Sequence, residues 1–533
     1  MTATSPDKLV VSNCDRLTQK YGPAGATAVN TAVKKLIKAD AARGIVTVFV
    51  DLSDAATMAT YGAPAIPAAS TGNAKLNKDA IDKVFTFGNF RPEYLMLLGS
   101  TDVIPHVSLG NPVAGDGDAD VPSDLPYASD KPYSLDVQDF IAPTRVVGRL
   151  PNVTNDTTPA YLVGLLATAA TYSNRLATAY NAFLGISAQV WQKSSELSLD
   201  AVFGTHAGMK VSPPDGYRWT AAEAKPLSHF VNCHGAPADP HFYGQKGAAY
   251  PVAHDAAWMA NKVGAGTVLA AECCYGAELY DPNVAPTAPI HMGMCNTYLG
   301  GKAYAYFAST NIAYGPATTN DQADLMCQDF LLEILGGASA GRACLQARLT
   351  YVNTKGGVLT PVDLKTLAQF NLMADPSLTP VAAQPPAAVI PSAPGVKNLK
   401  VAMAAVARHA RLRRRAGLAA QAASTTAYRL VEPGEPPGAG KTGAFGKLRK
   451  VAAELGIKSP DVILSYMVGP VSDSAWAKGF LASAALAGPA PKAVHTLLER
   501  LESPAKLPHL RLVRGLQAIE YEDAMDVQAF ESR

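Results

Sequence analysis

Two short apolar runs within residues 228–279 constrain this chain more than any other feature. The first lies in SHFVNCHGAP and stops at His234-Gly235; the second lies in GTVLAAECCYGAEL and stops at Glu272-Cys273-Cys274. Each run is short for a helix and bounded by Gly or Pro, so each reads as a strand buried on both faces of a parallel sheet. In open α/β sheets the functional groups collect at the carboxyl ends of such strands. A His on one strand end and a Cys on another supply what a thiol nucleophile needs: a base within hydrogen-bond reach and backbone N–H groups for the oxyanion. Gly235 carries no side chain to keep its own N–H from an incoming carbonyl.

The surrounding sequence supplies the rest of such a sheet. Residues 26–42 place apolar side chains at helical spacing, residues 45–51 form a β-branched run, and residues 94–98 form another that ends in Gly99-Ser100. Residues 144–151 read as a strand entering a turn, 159–180 as a helix, and 187–191 as a strand with Lys193-Ser194-Ser195-Glu196 at its end. A strand at 303–309, helices at 321–335 and 341–352, and a closing segment at 370–378 complete the pattern. This βαβα order predicts an α/β unit, a mostly parallel sheet flanked by helices. Residues 1–85 are its N-terminal α/β part and residues 86–380 the catalytic domain. Residues 381–395 are dense in Pro and Ala, which is linker composition. No parallel-sheet pattern follows, and amphipathic segments predict a mainly helical accessory domain over 396–533, a surface for a partner protein.

Composition narrows the function. At 533 residues the chain exceeds one ordinary core. A net charge of +2 gives no global field for nucleic acid or membrane surfaces. No apolar run approaches a membrane-spanning helix, and the first residues lack the pattern of a secretory signal. Seven cysteines are too few for a disulfide framework in a chain this long. The expectation is a cytoplasmic protein with reduced thiols and a protein or peptide substrate, binding neither nucleic acid nor membrane.

Seven segments, taken in order, resemble the gingipain-type cysteine peptidases: YLMLLGSTDVIP at 94–105, SDLPY at 123–127, VVGRLP at 146–151, NCHG at 232–235, ECCYG at 272–276, AYFASTNIAYG at 305–315 and FNLMADPSL at 370–378. The resemblance covers roughly residues 80–380 and stops before the accessory domain. It departs at Ser100-Thr101-Asp102, where the family has a tighter Gly-Asp, and at Ala374, where Gly is usual. It implies a caspase-like fold and a cysteine peptidase.

The residues alone leave the two cysteines open, because neighbours on a strand point to opposite faces. In the gingipain-type enzymes the nucleophile lies three residues before a Gly, and counting back from Gly276 gives Cys273; the tighter Cys-x-Gly spacing of caspases gives Cys274. The resemblance therefore implies His234 as base and acid, Cys273 as nucleophile, and the N–H groups of Gly235 and Cys273 as the oxyanion site, with Cys233 packed inward. No third orienting residue is evident; Glu272 and Asp102 are the candidates. The family's specificity acid, carried over by the apolar pattern that follows it, falls on Glu196 and implies a basic P1 residue, Arg or Lys. An acid at a helix start also has a purely structural reading.

Asp116, Asp118 and Asp120 have the spacing of a calcium loop, but Val121 and Tyr127 stand where an EF-hand needs Gly and Glu. The resemblance keeps calcium as a candidate ion, with no cofactor required. EPPGAGKT at 435–442 lacks the first Gly of a P-loop and reads as a flexible turn. The arginines between Arg408 and Arg415 read as a solvated helix face or as a site of self-processing by an Arg-directed enzyme. The expected function is thus an intracellular cysteine endopeptidase, regulatory or defence-related. The alternatives are a non-catalytic binding module on the same fold and a transpeptidase using the same dyad.

Overall fold

The computed structural model describes residues 5–88, 90–284, 291–382, 428–433, 444–457, 460–470, 490–522 and 524–533. Residues 383–395 of the expected linker, the Arg408–Arg415 cluster and the P-loop-like turn lie outside the described residues.

A ten-stranded sheet organises the first part of the chain, in the order Thr47–Asp51, Lys8–Ser12, Tyr94–Leu98, Val146–Leu150, Phe370–Met373, Ala305–Ser309, Val268–Ala271, Ser228–Asn232, Phe183–Ala188, Lys210–Ser212. Neighbours run parallel everywhere except at one seam, where Phe370–Met373 lies antiparallel to Ala305–Ser309. The sheet is therefore two parallel blocks running in opposite directions. The strand ends bearing His234 and Cys273-Cys274 belong to the same block and emerge on one edge. This is the mostly parallel, helix-flanked sheet that the strand pattern implied.

Both faces of the sheet are covered, which is why its strands are apolar throughout rather than alternating. Val231, Cys233, Leu269, Ala271 and Cys273 enter one core; Phe230, Val268, Ala270 and Cys274 enter the other. The expected strand at 187–191 is displaced: the strand is Phe183–Ala188, and Glu196 lies inside the helix Gln192–Phe203 that follows. No helix among the described residues is long and apolar enough to cross a membrane.

The accessory domain corrects the sequence reading. It is an antiparallel sheet of Met525–Ser532, Leu512–Glu520, Ala493–Leu501, Val462–Pro470 and Tyr428–Pro433, joined at one edge to the short strand Tyr314–Gly315 of the first unit. Leu497 and Leu516 pack against Leu448 and Ala452 of the helix Ala444–Glu454, whereas Leu498, Val513 and Phe530 pack against the catalytic unit. Burial on both faces of Ala493–Leu501 and most of Leu512–Glu520 removes the two-residue alternation that marks a half-exposed strand, and the Leu- and Glu-containing runs that remain read as helix.

Candidate active site

The ladder between the two active strands decides which cysteine faces the histidine. Val268–Ala271 pairs in parallel with Ser228–Asn232, Val268 opposite Ser228 and Ala271 opposite Val231. Glu272 continues the ladder by donating its N–H to Val231 O at 2.8 Å. The same register carried onward sets Cys273 beside Cys233 and Cys274 beside His234, and paired residues share a face. Cys273 accordingly turns into the core, its Sγ 3.8 Å from Val231 O, and burial first and the neighbouring Cys233 second push its thiol well above the ordinary range. The expectation that Cys273 meets His234 is thus corrected: the thiol on the histidine's face is that of Cys274. It accepts a hydrogen bond from the Ala313 N–H at 3.2 Å.

His234 is held by a residue that the sequence did not reveal. Its Nε2 lies 2.7 Å from Gln245 Oε1, while the Gln245 amide nitrogen donates to Tyr250 Oη at 2.9 Å and to Gly247 O at 3.2 Å. With its oxygen left as the acceptor, Gln245 places the imidazole proton on Nε2. Nδ1 is buried and makes no hydrogen bond among the described residues. The indole of Trp191 covers the ring, with centroids 4.3 Å apart. Burial lowers the imidazole to about 4, Gln245 opposing and the charge of Arg533 adding to the effect.

Arg533 lies in the pocket beside these groups and is fully buried. Its main-chain oxygen accepts from the Cys274 N–H at 3.3 Å and the Gly235 N–H at 3.5 Å. A Cβ on Gly235 would stand 1.8 Å from Cys274 O, so only glycine permits this approach. The Arg533 guanidinium reaches both oxygens of Asp324, at 2.9 and 3.0 Å, and Pro316 O at 2.9 Å. Trp191 flanks it, with Cζ 4.7 Å from the ring centroid. Gly315 forms the wall, where a Cβ would come within 2.2 Å of Nη2. Glu272 lies behind Asp324; burial and then the Asp324 charge push its carboxyl well above the usual range. Two N–H groups aimed at one carbonyl and a buried acid aimed at its side chain make a site for an acyl group bearing a guanidinium.

A profile of peptidase family C25 matches residues 4–381. The chain belongs to this family. It is a cysteine peptidase, a hydrolase acting on proteins. Among solved structures, the chain is similar to the Arg-specific cysteine proteinase gingipain R, at 12% identity over 71% of this chain and 79% of that one, with a TM-score of 0.48. The complex of Porphyromonas gingivalis RgpB pro- and mature domains matches at 10% identity over 98% of this chain and 99% of that one, with a TM-score of 0.46. No curated protein sequence matches.

The remaining candidates of this C25 peptidase are placed elsewhere. Glu196 stays on its helix, taking a hydrogen bond from Gln192 at 2.9 Å and pairing with Lys193 at 3.5 Å. The acid on the arginine is Asp324, the third residue of a helix whose capping box is headed by Asp321. Asp102 pairs with Lys20 at 2.6 Å. Asp116 and Asp118 both grip the buried Lys365, the latter at 2.7 Å, so an ammonium stands where the calcium reading put an ion. Asp120 begins the strand Asp120–Ser123. No group of three or more His, Cys, Asp or Glu is placed to hold a metal among the described residues.

Proposed function

We propose that this C25 peptidase is an endopeptidase that uses Cys274 as nucleophile and His234 as base and acid, and that it cleaves after arginine. One observation carries the reading. The Arg533 main-chain oxygen sits between the N–H groups of Gly235 and Cys274 while its guanidinium is closed in on Asp324. This is the position that the P1 residue of a substrate would take.

In the proposed cycle the Cys274 sulfur attacks the P1 carbonyl carbon, and its proton passes to the free Nδ1 of His234. The oxyanion gathers the two N–H groups. The C–N bond breaks, the amine leaves with the proton from Nδ1, and a thioester remains. Water then attacks the thioester; Nδ1 takes its proton and returns it to the thiol as the acid departs. Gln245 holds the ring and its tautomer throughout and exchanges no proton. Every step is assigned to protein groups. Arginine is favoured over lysine because its longer side chain lays the guanidinium against the Trp191 ring while Nη2 alone meets Asp324 and Pro316 O.

The test uses the full chain with Arg533 replaced by Ala, which empties the pocket, and fluorogenic Arg, Lys and Asp peptides in EDTA and in calcium. The Arg peptide is expected to be cut at least about tenfold better than the Lys peptide. Cys274→Ala should abolish cleavage. Asp324→Ala should lower kcat/KM for Arg by about 100-fold or more, since leaving one member of a buried ion pair unmatched costs about 3–5 kcal/mol. Equal cutting of Arg and Asp peptides, or an active Cys274→Ala chain, would overturn the reading. We also propose an intracellular setting, which suits seven cysteines that are all unpaired; recovery of the endogenous protein in a secreted fraction would refute it.

A further inference from the structure

The group that fills the active site is part of this chain, and it is carried there by the accessory sheet. The strand Met525–Ser532 runs antiparallel to Tyr314–Gly315, with Ser532 opposite Tyr314 and Glu531 opposite Gly315. Arg533 extends the pairing by donating its N–H to Ala313 O at 2.9 Å. Adding a strand to an exposed edge is how an extended peptide binds, with backbone bonds giving hold and side-chain pockets giving selectivity. Phe530 meets the Tyr314 ring edge-on at 5.1 Å, and Trp191 Nε1 donates to Glu531 at 3.4 Å.

The sheet is also tied down around the strand ends. Leu510 and Leu512 pack on Ala236 and Tyr243, next to Gly235. His509 Nε2 lies 2.6 Å from Asp239, and Arg511 bonds Gly117 O at 2.8 Å, Asp118 at 3.0 Å and Tyr275 Oη at 3.0 Å. These contacts come from the loop before Leu512–Glu520 and the first residue of that strand, whereas Arg533 follows the neighbouring strand. Two separate stretches of the sheet are thus fixed to the rim of the cleft.

We propose that the accessory sheet is an intramolecular inhibitor: its last strand and Arg533 occupy the substrate cleft as a substrate-like peptide, and the peptidase acts on other chains once that sheet is displaced. The proposal rests on the Arg-directed reading given above and adds the ligand that holds the site in this state. The covered site has the character of a resting one. Burial pushes the Cys274 thiol up to about 12, and the covered His234 is held at about 4, so neither is charged near neutrality. A tethered strand is present at millimolar effective concentration, so even weak affinity keeps the cleft filled against dilute substrate.

The experiment compares the parent chain with Arg533→Ala and Arg533→Lys on a fluorogenic Arg peptide, with an Arg-directed thiol-reactive label as second readout. Arg533→Ala is expected to raise kcat/KM and labelling rate at least about tenfold, and Arg533→Lys to fall between. The synthetic peptide amide MDVQAFESR should inhibit the Arg533→Ala chain competitively, and MDVQAFESA should not; this arm reports a formed cleft independently of any effect of the substitution on folding. Equal rates in parent and Arg533→Ala chains, with the Arg peptide cut by both, would overturn this proposal alone. No cleavage and no labelling in any chain would overturn it together with the Arg-directed reading.

Discussion

Cys273 and Cys274 are adjacent and chemically identical, and what separates them is parity. Val231 and Cys233 share one core with Leu269, Ala271 and Cys273, so a two-residue count along either strand leaves His234 and Cys274 on the other side. That count was available in the sequence, where the spacing to Gly276 pointed one residue early. Cys273 is therefore expected to act as packing. In a chain with the pocket opened by Arg533→Ala, Cys273→Ala should leave cleavage of an Arg peptide within about threefold while lowering the urea midpoint by the equivalent of about 1–2 kcal/mol, the usual cost of thinning a filled core. Loss of labelling in that variant would reverse the assignment. Gln245 and Asp324 were not legible in the same way. Gln245 reaches His234 only because a hairpin folds back over eleven residues, and Asp324 carries the signature of a helix cap. Glu196 was conspicuous for the reverse reason: an acid early in a helix resembles a pocket acid in sequence, and in space it is a half-buried group paired with Gln192 and Lys193 of its own helix.

Among elements, the motifs that carried the family resemblance divide into chemistry and scaffold. Asp124 of SDLPY and Arg149 of VVGRLP form a buried two-pronged pair, at 2.9 and 2.6 Å, whose guanidinium also donates to Gly99 O and Ile104 O. They lock three segments of the first parallel block together and touch nothing at the active edge. The segment AYFASTNIAYG is different: it supplies the strand Ala305–Ser309, the Ala313 groups that bond Cys274 and Arg533, and the pocket wall at Gly315. Its final glycine has a definite task, because a methyl group there would overlap the guanidinium. Gly315→Ala, in the Arg533→Ala chain, should raise KM for the Arg peptide at least about tenfold and change the rate of iodoacetamide labelling at Cys274 little, since the thiol itself is not obstructed. A parallel loss of both would mean that the strand, and not the pocket, had been damaged. The accessory strands were illegible for a physical reason already visible in their packing: with a helix on one face and the peptidase on the other, Ala493–Leu501 has no exposed face along most of its length.

On the scale of the whole molecule, the active edge rests on a buried neutral network that ties three elements together. His229 of the strand Ser228–Asn232 and His254 of the strand Val252–Asp255 both meet the hydroxyl of Tyr298, from the helix Met294–Gly300, at 2.8 and 2.9 Å. Trp219 Nε1 donates to His254 Nδ1 at 3.2 Å. What makes these histidines a unit is a helix that arrives some forty-four residues later in the chain. Burial lowers His229 to about 4 and His254 to about 3, the latter with a further push from His229. The sign of the consequence follows from the unfolded value near 6.5. Between pH 6.5 and the folded values the unfolded chain binds protons that the folded chain refuses, so stability rises with pH across that window. The folded state has the full contribution above about pH 6.5 and loses it as the pH falls. For His254 alone the loss between pH 7 and pH 5 is about 2 kcal/mol. Other titrating groups act in the same range, among them Glu278, which burial raises to about 7 and which therefore works in the opposite direction. Comparing slopes cancels them. His254→Gln keeps a polar group in place and removes the titration, so its unfolding free energy in urea should be lower at pH 7 yet fall by about 2 kcal/mol less than the parent's on going to pH 5. Parallel lines for the two proteins would mean that His254 takes up its proton as readily in the folded chain as in the unfolded one, and that the network beneath the active edge is open to water.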